Sequence, residues 1–404
     1  MISVEQALNR ILAGLGGPMP AEEVPLTHAL GRILASDVTA ALTQPPMAVS
    51  AMDGYAVRSA DVASVPAKLT VIGVAPAGRP FDGAVGPGQA VRIFTGAAVP
   101  EGADAILIQE DAEASGDTVI LREAATPGRF VRPAGLDFQA GSVGLQAGKR
   151  LTARDIGLAA AMNRPWLKLR RRPRVAILST GDELVNPGEA PGPGQIVSSN
   201  AFALAAFVEA EGGEALMLGI ARDDPADLAR AIAAAEGADL LLTSGGASVG
   251  DHDLIAGALE EAGMMLDFWK IAMRPGKPLL FGTLGAVPVL GFPGNPVSSG
   301  VCAIVFLRMA LQRMLSLPAR LPQRRLPLAN GLAANDQRQD YVRGFYVELD
   351  GERRICTASR QDSSMLATFA TADALVVRAA LDPAREPGDM VTLIDLSEAL
   401  DSLR

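Results

Sequence analysis

The 404-residue sequence predicts a multidomain protein centred on an α/β domain with a parallel sheet. A β domain inserted between helices precedes it and a small β domain follows it. Three observations carry this reading. The length exceeds one ordinary core and calls for two to four domains, at about 100–200 residues each. Over 175–242 apolar strand-like runs alternate with helical patterns, as in a sheet covered on both faces. The stretches 56–149 and 318–404 instead consist of short apolar runs broken by Gly, Pro and Asp.

Taken in order, Ser3 followed by Gln6 is a capping-box pattern opening an amphipathic helix to about Leu15, which Gly16, Gly17 and Pro18 end. Further helical patterns cover 26–34 and 153–162. Between them, strands are expected at 69–74, 91–94, 105–108 and 118–121. After the basic tract 168–174, strands are expected at 175–178, 215–220 and 239–242, with helices at 200–210 and 225–235. Asp224 before Pro225 is an N-cap with proline at the first helical position, and Asn295 before Pro296 repeats the arrangement. In the tail, strands are expected at 341–349, 354–357, 374–378 and 390–394.

Composition narrows the function. Hydrophobic residues make up 49% and charged residues 20%, as in a globular protein rather than a disordered one. A net charge of −9 opposes general attraction to nucleic acid or anionic lipid, so any anion site must be local. Cys302 and Cys356 are the only cysteines, which leaves no disulfide framework and no thiolate zinc site. The N-terminus lacks a basic stretch leading into an apolar core, and the apolar run 301–307 stops at Arg308. A cytoplasmic protein without membrane or nucleic-acid partners is expected.

The chemistry concentrates in strand-end loops, where ligands bind in parallel sheets. The loop 243–253, Thr-Ser-Gly-Gly-Ala-Ser-Val-Gly-Asp-His-Asp, follows a buried strand and precedes a helix. Its Ser244, Gly245, Gly246, Ser248 and Gly250 suit a phosphate or other oxyanion, because glycines let backbone N–H groups turn inward and a helix N-terminus adds positive charge. Alone, such a loop is equally a plain strand-to-helix connection. Three more polar loops accompany it: Ser179-Thr180-Gly181-Asp182-Glu183, Arg222-Asp223-Asp224 and Pro293-Gly294-Asn295-Pro296. A cationic segment supplies Lys270, Arg274 and Lys277, which can neutralise phosphate or another oxyanion. Carboxylates beside an anion site suit a bridging Mg²⁺, for which Glu183, Asp223, Asp251 and Asp253 are the candidates. Asp224 is explained by capping, and His252 could equally do no more than orient its loop. No G-x-G-x-x-G or G-K-[ST] loop is present, which disfavours a dinucleotide or Walker-type site.

Six segments in order resemble the MoeA family of molybdopterin molybdenumtransferases, which share their α/β domain with MogA-type adenylyltransferases. They are Ser50-Ala51-Met52-Asp53-Gly54-Tyr55-Ala56, Arg92-Ile93-Phe94-Thr95-Gly96-Ala97, the run 180–183, the run 244–253, Arg274 to Pro278, and Pro293 to Pro296. The resemblance implies a homodimer whose subunits carry a helical linker region (1–45 and 140–172), an inserted β domain (46–139), a MogA-like α/β catalytic domain (173–317) and a C-terminal β barrel (318–404). It implies a transferase that inserts molybdate into adenylylated molybdopterin with Mg²⁺-dependent release of AMP, and a MogA-type enzyme as a possible partner.

Carried over by residue, it assigns catalysis to Asp53, Thr95, Glu183, Asp223, Asp253, Lys270 and Lys277. Asp137, Pro293 and Pro296 join the substrate-binding set with Arg274 and the glycine-rich loop. Asp53 and Thr95 would complete the crevice, supplied by the partner subunit. The sequence departs from the family pattern at Val49, usually asparagine, at Leu136, usually acidic, and at Arg274, commonly lysine. Two other readings stand beside this one: adenylyl transfer onto molybdopterin, and a molybdopterin-binding chaperone or scaffold without turnover.

Overall fold

The structure is a computed structural model that describes residues 1–245 and 254–397. The chain divides into two compact units, one comprising 23–30 and 34–168, the other 1–22, 31–33 and 169–404.

In the first unit a six-stranded sheet runs in the order Ala105–Ile108, Gly54–Val57, Gln89–Ile93, Ala67–Ala75, Thr118–Leu121, Ala112–Ser115. Every pairing is antiparallel except that of Ala67–Ala75 with Gln89–Ile93. Because side chains alternate along a strand, Tyr55 and Val57 join one core with Leu107, Val119 and Leu121. Ala56 joins another, with Val91, Ile93 and Ile106. Both faces are therefore covered. Strand Gly54–Val57 escapes a pattern search because it is short and buried on both sides.

The expected helix over 26–34 does not form. One 3₁₀ turn, Leu26–His28, is present, and Gly31 adopts φ +74°, which a helix cannot contain. The apolar spacing instead buries Ala29, Ile33 and Leu34 from an irregular path, with Leu30 exposed. The helix Ala153–Ala161 does form. At its start the Asp155 carboxylate accepts from the Thr152 backbone N–H (2.9 Å) and hydroxyl (2.7 Å) and pairs with Lys149.

In the second unit helix Val4–Gly14 opens with the expected box, Gln6 N–H to Ser3 Oγ at 3.1 Å and Ser3 N–H to Gln6 Oε1 at 3.0 Å. The α/β sheet has four parallel strands in the order Glu214–Ala221, Arg174–Thr180, Leu240–Ser244, Val287–Phe292. Leu280–Leu284 and Met264–Trp269 extend it antiparallel. Val175, Ile177, Leu240 and Leu242 face the layer holding helix Asn200–Ala210. Ala176, Leu178 and Leu241 face the layer holding Leu228, Ile232 and Ile255. A strand buried on both sides reads as a continuous apolar run, which is why these strands were legible.

A continuous helix spans 296–314, with a π-helical turn at Ala303–Leu307. Among the described residues it alone has the length and hydropathy to cross a membrane, but 89% of it is buried, which makes it a core helix. The C-terminal strands run Glu352–Thr357, Gln339–Leu349, Ala374–Arg378, Met390–Asp395, Gln323–Pro327. A parallel bridge from Leu328 back to Ile355 closes them into a barrel.

Candidate active site

The parallel strands of the α/β sheet end at one cleft of about 610 Å³. Ser179, Thr180, Gly181 and Glu183 line it from the first loop, Asp223 from the second, Ser244 and Gly245 from the third, and Pro293 to Pro296 from the fourth. Four loops read separately in sequence thus converge, as the strand-end rule requires.

Local geometry explains the residue choices. Gly245 has φ +100°, and a Cβ there would stand 2.5 Å from the Thr180 carbonyl oxygen, so only glycine allows the first and third loops to approach. A Cβ on Gly181 (φ +140°) would stand 2.2 Å from a Glu183 carboxylate oxygen, so glycine there leaves that carboxylate its position. The first and second loops exchange two long hydrogen bonds, Asp182 N–H to Asp223 Oδ2 at 3.4 Å and Asp223 N–H to Asp182 Oδ1 at 3.3 Å. Asp224 accepts from the N–H groups of Ala226 (3.1 Å) and Asp227 (3.0 Å), the capping role read for it. Asn295 does not repeat that role with its side chain. Its backbone carbonyl accepts from Ser299 N–H at 2.9 Å instead.

Two features of the cleft were missed in the sequence. Asn200 Nδ2 donates to Ser244 Oγ (2.9 Å) and to the Gly294 carbonyl (2.8 Å), fastening the third loop to the fourth. The polar run Ser198-Ser199-Asn200 before a helix was the available signal. Ser364, from the segment before the penultimate barrel strand, also lines the cleft and has no sequence signal of its own. The hydroxyls of Ser179 and Thr180 are buried at the cleft without a hydrogen-bond partner. Buried hydroxyls are normally bonded, so these two are donors waiting for an acceptor.

The expected carboxylate cluster is represented by Glu183 and Asp223. Asp251 and Asp253, with Gly246, Ser248, Gly250 and His252, lie outside the described residues. Among the described residues no group of three or more potential metal ligands is assembled.

The cationic segment divides. Pro278 lines the cleft, with Lys277 beside it, and the backbone of 270–279 folds back on itself through Ile271 N–H to Lys277 O (3.0 Å) and Lys270 N–H to Leu279 O (3.1 Å). Lys270 Nζ sits 4.8 Å from the Trp269 ring centroid. Arg274 does not line this cleft. Its guanidinium is paired with Asp340 and with Asp336 (3.4 Å) of the barrel and borders a separate pocket there. Arginine's fork can hold two carboxylates at once, which lysine's point charge does not do.

Asp53, Thr95 and Asp137 belong to the other unit. Asp53 Oδ1 accepts from the Thr95 N–H at 2.7 Å and from its hydroxyl at 2.8 Å. These bonds, the backbone one foremost, hold the Asp53 carboxyl below its ordinary value against the opposing effect of burial, with Arg92 assisting. Arg92 donates to the Gly54 carbonyl at 2.8 Å, with its guanidinium 5.2 Å from the Tyr55 ring and 4.9 Å from the Phe94 ring. The segments 50–54 and 94–97 are zipped by Ser50 N–H to Ala97 O and Gly96 N–H to Ser50 O, both 2.9 Å. Gly54 is forced, since a Cβ would stand 1.9 Å from the Leu107 carbonyl oxygen.

Comparison with known proteins covers nearly the whole chain. Residues 2–163 match the family model "MoeA N-terminal region (domain I and II)", 176–313 match "Probable molybdopterin binding domain", and 325–396 match "MoeA C-terminal region (domain IV)". A molybdopterin molybdenumtransferase of Nostoc sp. is 38% identical over 93% of this chain and 90% of its own length. One from Haemophilus influenzae is 34% identical over 93% of this chain and 94% of its own. The crystal structure of a molybdopterin biosynthesis MoeA protein from Pyrococcus horikoshii superimposes with a TM-score of 0.86 at 31% identity, covering 98% of this chain and 99% of that one.

Proposed function

The chain belongs to the MoeA family, and on that footing we propose that it is a molybdopterin molybdenumtransferase, inserting molybdate into adenylylated molybdopterin with release of AMP. The observation that carries this reading is the strand-end cleft, where two buried hydroxyls without partners face the same space as Glu183 and Asp223. Hydroxyl donors suit phosphate or molybdate oxygens, and the carboxylates suit a hard cation. Adenylyl transfer onto molybdopterin is not favoured, because the resemblance extends through the N- and C-terminal regions.

Each residue then has a task. Ser179 and Thr180 donate to oxyanion oxygens of the substrate. Asn200 keeps the third and fourth loops in register around it, and Lys277 and Lys270 supply positive charge for molybdate or phosphate. The oxygen donors of Glu183 and Asp223, joined by Asp251 and Asp253, fit Mg²⁺ and would hold it. When bound, that ion supplies charge neutralisation at the phosphoanhydride. No protein nucleophile is needed. Molybdate oxygen attacks the adenylyl phosphorus, AMP leaves, and the dithiolene sulfurs take the metal.

In this reading the enzyme is a cytoplasmic homodimer in which Asp53, Thr95 and Asp137 complete the partner's cleft, with a MogA-type adenylyltransferase supplying the substrate. Asp53→Ala and Glu183→Ala should each lower molybdate-dependent AMP release at least a hundredfold, the scale of one preorganised polar group. Full retention of activity in either variant rejects these roles. Mixing the two inactive variants should restore part of the activity, because one site of a mixed dimer then receives intact residues from both chains. No recovery after verified subunit exchange rejects the shared site.

A further inference from the structure

The unit that carries Asp53 and Thr95 has a cleft of its own, about 630 Å³, within the range of small-ligand sites. Its walls are tied to the segments that carry that pair. Arg132 pairs in antiparallel register with Val49, next to Ser50. Asp137 N–H donates to the Gln44 carbonyl at 3.0 Å, and Gly96 adjoins Thr95. The turn that presents Arg79 is anchored by Phe94 N–H to Ala75 O at 3.3 Å.

The lining has three chemical parts. Arg79 and Arg132 both border the cleft, and among the described residues neither guanidinium has an ion-pair or hydrogen-bond partner, in a chain of net charge −9. Pro45, Pro46, Met47, Pro80 and Leu136 offer apolar surface, with Met47 47% and Leu136 59% exposed. Asp137 adds an acceptor. Two free forks suit a phosphate, the apolar rim suits the face of a flat ring, and the carboxylate suits a sugar hydroxyl or ring amine. A simple oxyanion would use only the first of these.

We propose that this cleft is a nucleoside-monophosphate subsite, with Arg79 and Arg132 as its phosphate contacts. The proposal rests on the functional reading above and deepens it: the cleft takes the adenylyl end of the substrate and releases it as AMP. Leu136, apolar where the family usually has an acidic residue, removes a charge that would repel the phosphate.

The test is calorimetric titration of the full-length protein with AMP, adenosine and inorganic phosphate. AMP should bind, and adenosine and phosphate should each bind at least tenfold more weakly. Arg79→Ala and Arg132→Ala should each weaken AMP roughly tenfold or more, the scale of one charged hydrogen bond. Arg132→Lys should recover part of the loss, with melting temperatures unchanged throughout. The double variant should raise KM for adenylylated molybdopterin more than it lowers kcat. Wild-type AMP affinity in the folded double variant overturns the proposal, as does phosphate binding as tightly as AMP. Unchanged KM in the double variant overturns it while leaving the molybdenumtransferase reading intact. Absence of molybdate-dependent AMP release from the wild-type protein counts against that reading and, with it, against the adenylyl assignment.

Discussion

Asp53 is kept charged chiefly by a backbone N–H, and that divides what mutation of its partner can do. A depressed carboxyl value means the fold favours the charged form. This contribution is complete above the ordinary value of 3.8 and is lost as pH falls through the depressed one. Thr95→Ala removes the hydroxyl but leaves the larger backbone contribution, so the Asp53 carboxyl should rise yet remain below the ordinary value. Carbon-detected carboxyl titration checks this, and a return all the way to the ordinary value would show that the hydroxyl dominates. Asp53 and Thr95 were legible because each stands in a specific motif, whereas their contact, 42 positions apart, was not. Asn200 and Ser364 were illegible for a related reason: each matters through what the fold brings beside it, and nothing adjacent in sequence marks that. Arg274 shows the converse. Its charge was legible, but a guanidinium goes to the nearest well-placed carboxylates, and the barrel supplies Asp336 and Asp340.

At the scale of elements, the signals that survived were local hydrogen-bond devices and buried runs. Ser3 with Gln6 placed the first helix, and Asp224 with Pro225 placed another. The stretch 26–34 failed because helical spacing of apolar residues records only which side chains seek burial, while Gly31 at φ +74° decides the path. The antiparallel edge of the α/β sheet is likewise unmarked, since a buried strand reads the same in either direction. The helix Ala153–Ala161 offers a quantitative check. Asp155→Ala removes the buried acceptor for both Thr152 donors and the partner of Lys149, and should cost about 1–2 kcal/mol. Denaturant unfolding measures it, and a loss below a few tenths would show that water replaces the carboxylate without penalty.

For the whole molecule, the acidic balance makes local cation placement the main determinant of anion binding. Free guanidiniums sit at the cleft beside Asp53 and Thr95, lysines lie on the segment 270–278 that reaches the strand-end cleft, and many of the remaining arginines are in ion pairs. The substrate is matched in the same terms, a polyanion with a flat ring at each end. The decisive measurement follows AMP and protein-bound molybdenum together after the enzyme meets adenylylated molybdopterin and Mg²⁺, with and without molybdate. AMP should appear in step with incorporated molybdenum and should nearly vanish when molybdate is withheld. AMP release at the same rate without molybdate, or molybdenum incorporation without AMP, would contradict the assignment.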